Sequence, residues 1–232
     1  DCTRITDVVT TESPDTVLAI TSELFGEQQG DTNDQLVRAI LAAGTVVQYA
    51  SSAVSRVTVA AGMVLDVDEI KEAVRTLKVA NAKKITRLSG VNPGVGSVPI
   101  NSTYVAIVHP NTTYDLKADA KFVSVEKYAS NIALLPGEVG SLDEVRFVES
   151  TNAKVFSAGG AGSIDVYATI VLGAEAYGIV DVAGTTQLIY KGLGSAGSAD
   201  PLDQRQTMGW KEYFVAKILN DNFMVRIEHA VS

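Results

Sequence analysis

Strand-like and helix-like segments follow one another along this chain without a regular β–α–β rhythm, and that irregular mixture constrains the fold more than any other feature. The class it implies is α+β. The clearest helix opens at Asp66-Val67-Asp68-Glu69, the Asp-x-x-Glu form of a capping box, in which each side chain satisfies a backbone donor at the helix start. Val67, Ile70, Val74 and Leu77 then line one face and Lys71, Glu72, Arg75 and Lys78 the other, so one face is core and one is wet. Lys83 and Lys84 follow, where positive charge favours the negative end of the helix dipole.

The β-branched run Ile5 to Thr11 predicts a strand. Ser13-Pro14 predicts a helix entry, with Ser as cap and Pro at the first helical position. Val17, Ile20, Leu24 and Phe25 continue at helical spacing, the stretch Gly26 to Gln35 is polar, and Leu36, Val37, Ile40 and Leu41 resume the pattern up to a stop at Gly44. One long helix or two shorter ones fit, since the middle tolerates helix while Gly26 and Gly30 cost on the order of 1 kcal/mol each. Thr45 to Leu65 reads as strand and loop, and Gly90 to Gly96 as a turn-rich loop. Tyr104 to Val108 reads as a buried strand stopped by His109-Pro110, with a short helix from Thr112 to Ala118. Val145 to Glu149 and Ile164 to Leu172 alternate like half-buried strands. Trp210 to Leu219 and Phe223 to His229 flank Asn220-Asp221-Asn222, which predicts a closing antiparallel hairpin.

Composition narrows the function classes. At 232 residues the chain can form one large domain or two modest ones, and with 46% hydrophobic and 20% charged residues it collapses rather than remaining disordered. Nineteen Lys and Arg against 27 Asp and Glu leave a net charge of −8, the wrong sign for a dedicated nucleic-acid binder. Cys2 is the only cysteine, so neither an intrachain disulfide nor a Cys-rich zinc site is available. No apolar run approaches the roughly 20 residues of a membrane-crossing helix, and a soluble protein is expected. The chain opens at Asp1 rather than Met, as a processed product or a piece of a longer protein would.

Signatures of chemistry are sparse. Gly192-Leu193-Gly194-Ser195-Ala196-Gly197 matches G-x-G-x-x-G after a strand-like Gln187 to Lys191, yet no amphipathic helix follows in the sequence, and a flexible glycine loop is the better reading. His109 and His229, the only histidines, read as structural or surface imidazoles, and two cannot form a three-His zinc site. Asp66, Asp68 and Glu69 lack the spacing of a calcium loop and are explained by capping. Asn101-Ser102-Thr103 and Asn111-Thr112-Thr113 are formal sequons, read here as turn residues. Cys2 reads as inert, and Trp210, Tyr213 and Phe214 as core or interface anchors rather than a ligand-binding surface. No catalytic, cofactor-binding or metal-ligating residue is assigned, and no cofactor is expected.

Four stretches, in order, resemble the major capsid proteins of tailed bacterial viruses, in the N-4-type subgroup with the Hong Kong 97-type (HK97-like) fold. They are Tyr104 to Pro110 with Tyr114-Asp115-Leu116; Gly137 to Glu149; Gly194 to Arg205; and Trp210-Lys211 through Ile218 to Asp221 and on to Met224 to Glu228. Weaker similarity covers Leu41 to Thr45 and Ala80 to Lys84. The resemblance implies an α+β capsid fold with Pro14 to Gly44 as a long spine helix. It implies a peripheral domain of residues 1–61 and 204–232, containing the end of an extended loop, and an axial α/β domain of residues 62–203. It also implies that the N-terminal arm and most of the extended loop of the family lie outside this sequence.

The function implied is structural rather than enzymatic: self-assembly into hexamers and pentamers of an icosahedral head shell enclosing phage DNA. The partners are then copies of the chain itself, with portal, scaffold and decoration proteins as further candidates, DNA as enclosed cargo only, and no membrane. The place is the virion, after assembly in the bacterial cytoplasm. Two alternatives are kept: an encapsulin-like compartment shell, which shares the fold but not these motifs, and, more distantly, an NAD-dependent oxidoreductase built on Gly192 to Gly197.

Overall fold

A computed structural model describes residues 1–12, 16–88, 98–128, 135–181 and 186–232. The chain begins with β1 (Cys2–Thr6), α1 (Asp7–Glu12), α2 (Val17–Leu41), β2 (Val47–Tyr49) and α3 (Val67–Val79). β3 (Ile85–Leu88), β4 (Val98–Val108), α4 (Pro110–Ala118), β5 (Val123–Ser124), β6 (Glu138–Leu142) and β7 (Val145–Glu149) follow. β8 (Val155–Phe156), β9 (Val166–Leu172), β10 (Tyr177–Asp181), β11 (Gln187–Lys191), β12 (Arg205–Lys211), β13 (Phe214–Ile218) and β14 (Met224–His229) complete it. The mixture is α+β, as the sequence predicts. Two compact units divide it, residues 1–37 with 179–216 and residues 38–178 with 217–232.

The larger unit is built on a nine-stranded sheet with the order β2-β14-β9-β4-β7-β6-β5, to which β3 adds on β4 and β8 on β9. β9 is its centre: it pairs antiparallel with both β14 and β4, and all seven of its residues are buried. The half-buried alternation expected for Ile164 to Leu172 is therefore corrected. Both faces of this strand are covered, so even Tyr167 and Thr169, on the expected wet side, are inside.

One face is covered by α3. Its start is the predicted capping box, with Asp66 accepting from the Val67 amide and Glu69 reaching back to the Asp66 amide at 3.1 Å. Ile70, Ala73, Val74 and Leu77 then pack with Tyr104, Ala106, Phe147, Val171 and Ile227 of the sheet. Each large aliphatic buried there stabilises by roughly 1.5–3 kcal/mol. α4 starts where proline allows it, with His109 as cap and Pro110 in the first turn, and sends Leu116 into the same cluster.

A second cluster contains Val59, Val166 and Ala230, packed by Tyr49, Ala53, Met63, Phe156 and Ile164. Helix α2 ends at Leu41, after which the Ala42, Ala43 and Gly44 amides donate to the carbonyls of Arg38, Ile40 and Leu41. Gly44 is needed there for space rather than for its backbone freedom: a Cβ at this position would overlap the Met224 methyl and sit 3.1 Å from the Asp221 carboxylate.

The smaller unit joins β1, β12 and β11 into an antiparallel sheet in that order. Residues directly opposite each other share a face, so Ile5, Gln206 and Met208, all buried, mark the inner side. Phe25 of α2 is buried in this unit too, and Gln28 of the helix joins the Asp1 carboxylate to the Trp210 indole N–H. Glu212 accepts from Gln29 and Asn33 at 2.7 and 2.9 Å, which holds its carboxyl below the usual carboxylate range.

Two local expectations change, and one left open is settled. The strand predicted over Ile5 to Thr11 stops at Thr6, because the Asp7 carboxylate caps the Val8 amide and its carbonyl takes the Thr10 and Thr11 hydroxyls, turning the chain into α1. One helix, not two, spans Val17–Leu41, with Gly26 and Gly30 on open surface. Its predicted entry at Ser13-Pro14 lies outside the described residues, as does the loop Gly90 to Gly96. The closing hairpin does not form: β13 pairs with β10, while β14 enters the large sheet between β9 and β2. Asn220 instead caps a short 3-10 turn through the Asn222 amide. Burial decides the matter, since all six residues of β14 are buried in the sheet, cover that a two-stranded hairpin does not provide.

Candidate functional site

The segment that matched a nucleotide fingerprint connects two antiparallel strands, β11 and β12, of the smaller unit. Gly194 and Gly197 adopt the left-handed backbone, at φ +82° and +53°, and the chain makes one 3-10 turn over Gly197–Ala199 before β12. A helix N-terminus, which a pyrophosphate requires, does not follow, so the oxidoreductase reading loses its structural basis. What holds the loop is Asp200. It is buried, accepts from the Arg205 amide at 2.8 Å, and lies 3.4 Å from the Arg205 Nε. The same guanidinium donates to the Ala199 carbonyl. On this clasped base Leu193 and Leu202 stand 47% and 74% exposed.

The strand leading into the loop is the most unusual element of the unit. All five residues of β11 are exposed, although Leu188, Ile189 and Tyr190 form an apolar run that ordinarily marks a buried strand. β11 is also the edge of its sheet, so one row of its backbone donors and acceptors is unpaired within the sheet. Val8, Val9, Ile20 and Leu24 add to the exposed apolar surface of the unit. Open apolar strand edges are tolerated where another chain covers them. Sequence reasoning assigns no site here, because a short apolar run reads the same whether its own chain or a neighbour buries it.

The other singled-out residues have structural places. His229 is fully buried: its Nδ1 lies 2.8 Å from the Ala230 carbonyl and its Nε2 3.0 Å from the Thr169 hydroxyl. Burial lowers its pKa to about 4, so it is neutral at pH 7. Tyr167 lies between the two histidines, tilted on His109 at 5.1 Å and stacked on His229 at 6.4 Å, and its hydroxyl accepts from Asn111. His109 accepts from the Asn111 amide as a helix cap, and desolvation lowers its pKa. Asp66 and Glu69 are spent on capping. The side chain of Asn101 lies outside the described residues. Tyr213 is 71% exposed and Trp210 and Phe214 are only partly buried, so the aromatic trio is not a core anchor of the subunit. Cys2 is exposed.

Two ion-pair clusters tie the larger unit together. Glu144 is shared by Lys78 and Lys84, each at 2.7 Å, which holds its carboxyl low. Glu228, fully buried, faces Arg56 and Arg226 at 2.7 and 2.9 Å. Among the described residues no group of three or more acidic, His or Cys side chains is placed to hold a metal, and no helix is long and apolar enough to cross a membrane.

Comparison with known proteins gives this architecture a family. A search of curated protein sequences finds no match. Among solved structures, the capsid of Ralstonia phage GP4 superposes with a TM-score of 0.74 at 14% identity, over 100% of this chain and 73% of that one. A chain of the head structure of Helicobacter pylori bacteriophage KHP40 gives 0.69 at 14% identity, over 100% and 73%. The encapsulin SrpI of Synechococcus elongatus shares the fold at 0.58 and 8% identity, over 100% and 72%. The sequence pattern of the phage capsid protein family matches residues 4–211. The chain belongs to that family and is a structural major capsid protein with the HK97-like fold of tailed bacterial viruses.

Proposed function

We propose that copies of this chain associate into hexamers and pentamers that close an icosahedral head around phage DNA, assembling in the bacterial cytoplasm and catalysing no reaction. The observation that carries the reading is β11, an apolar edge strand exposed on both faces beside a clasped loop with exposed leucines. A fold that leaves such a strand open is completed by a neighbour, and a closed lattice supplies one to every copy. Many modest contacts of standard size then add up to a persistent shell. The net charge of −8 leaves the packaged polyanion free to move. The peripheral role of residues 1–61 with 204–232, the axial role of residues 62–203, and contacts with portal, scaffold or decoration proteins belong to the same proposal.

Expression of the full chain followed by negative-stain microscopy tests it. Closed particles with five- and six-fold capsomers are expected. A protein that stays a dispersed monomer at all salt and crowding conditions overturns the reading. The encapsulin-like alternative has the SrpI fold match in its favour, and particle contents separate the two: packed DNA for a head, protein cargo for a compartment.

A further inference from the structure

The register of the three-stranded sheet sorts its charges. Cys2, Gly209 and Ile189 lie opposite one another in one row, and Arg4, Thr207 and Lys191 in the next. Lys211 stands on the same outer face, opposite Gln187. Arg4, Lys191 and Lys211 are exposed, and none of the positions that the three strands place on this face is acidic. Three of the unit's carboxylates are engaged elsewhere: Asp1 with the Cys2 amide and Gln28, Glu212 with Gln29 and Asn33, Asp200 with Arg205. Gly209, which has no side chain, floors a shallow groove of about 320 Å³ lined by Cys2, Ile189, Lys191 and Thr207, with Asp1 also against it.

Helix α2 of the same unit carries the opposite pattern. Glu23, Glu27, Asp31 and Asp34 recur at spacings of four, four and three, which places them in one stripe, and all four are exposed. Ile20 and Leu24, 48% and 57% exposed, flank the stripe at its N-terminal end. The inward side of the helix is marked by buried Phe25 and by Gln29 and Asn33, which hold Glu212. The dimensions match. Eleven residues of helix put Glu23 and Asp34 roughly 16 Å apart, and the cationic face runs roughly 14 Å along β12 from the Thr207 row to Lys211 and roughly 10 Å across from Arg4 to Lys191.

We infer that the cationic outer face of the β1–β12–β11 sheet in one copy receives the acidic outer stripe of α2 from a second copy, with Ile189 against Ile20 or Leu24. The contact is heterologous, joining two different surfaces of the same unit, and such a contact repeated by rotation gives a ring where the rotation closes and an open filament where it does not. Duplex DNA is the weaker occupant, since it would set phosphates against Ile189 and approach a chain of net charge −8. The inference rests on the self-assembly proposed above and names the surfaces that carry it.

Charge reversal in the full chain tests it. Arg4→Glu with Lys191→Glu and Lys211→Glu makes both surfaces acidic, and Glu23→Lys with Glu27→Lys and Asp31→Lys makes both basic. Each triple variant should assemble at least about tenfold more slowly than wild type at low ionic strength, read by light scattering and sedimentation. The six-fold swap, which restores opposite signs, should recover most of the rate. Circular dichroism of the unassembled chains shows whether each variant folds, and the milder Arg4→Gln, Lys191→Gln and Lys211→Gln set replaces any that does not, with slowed assembly again expected. Wild-type rates in the triple variants, or no recovery in the swap, overturn this pairing while leaving self-assembly in place. Normal assembly with reduced DNA retention assigns the face to nucleic acid and overturns it as well. Failure of wild type to assemble removes the proposed function itself, and this contact with it.

Discussion

Arg56 grips Glu228 across 172 residues of chain, donating from Nε at 2.8 Å to one carboxylate oxygen and from Nη2 at 2.7 Å to the other. Glu228 is fully buried, and the second cation on it is Arg226, whose guanidinium also donates to the Ala42 and Gly44 carbonyls. The Arg56 guanidinium lies 3.4 Å over the Phe156 ring, and its hydrogen bonds to Glu228 hold its pKa above the usual arginine value. The loop after β2, the short strand β8 and the C-terminal strand are thereby fastened to one another through a single carboxylate.

Removing that grip leaves a buried anion half compensated. Arg56→Ala is expected to destabilise the unassembled subunit by about 3–5 kcal/mol, measured by urea unfolding. Arg56→Lys should fall between this and wild type, because lysine keeps the charge but lacks the two-pronged geometry. An Arg56→Ala midpoint equal to that of wild type would show that Glu228 needs no partner from this loop.

Acid should loosen the large sheet through His229. Its folded pKa of about 4 lies below the ordinary 6.5, so the unfolded chain takes up the proton first. The neutral ring's contribution is fully present above pH 6.5, declines as pH falls toward 4 and levels off below, a loss of roughly 3 kcal/mol at most. Asp115 of α4 opposes the shift, and His109, beyond Tyr167, is shifted in the same direction by desolvation. Comparing urea midpoints at pH 7 and pH 4.5 isolates the term: His229→Gln should show a smaller drop than wild type, and equal drops would refute it.

Gly44 is a packing prediction. An added methyl meets the end of Met224 and the Asp221 carboxylate, which accepts from the Thr45 amide. Gly44→Ala is expected to cost about 1–3 kcal/mol, because a methionine end can shift but the space is shared. Combining it with Met224→Ala should make the glycine substitution cheaper than it is alone, as a thermal-melting double-mutant cycle would reveal. Additive effects would mean that the two sites do not touch.

Local signals in the sequence carry the start of α3 to the residue, because a capping box acts within a few positions, whereas α4, expected from Thr112, starts two residues earlier at the proline that reads in the sequence only as a strand stop. Tyr104 to Val108, the end of a longer strand that begins at Val98 and alternates in burial, with Val105 and Ile107 only partly covered, is legible too. Pairing is not. Asn220 to Asn222 suits a hairpin turn, but the partner of β14 is decided by which surface buries all six of its residues, a property of β9 more than fifty residues earlier. The alternation in β9 is misleading because helices and loops cover both sides. In the smaller unit, Arg4, Lys191 and Lys211 are scattered in sequence and become one face only once the register is known. The exposure of β11 lies beyond single-chain reasoning altogether, since its apolar run is written for a surface that another molecule completes.

That open edge also bears on life before the shell exists. A newly made subunit carries Leu188, Ile189 and Tyr190 uncovered, and such a strand pairs indiscriminately with any similar edge. Orderly growth and amorphous precipitation thus draw on the same adhesive strip, and supply decides between them. Slow delivery lets misplaced copies detach before the next arrives, whereas a flood of subunits would lock early mistakes in place.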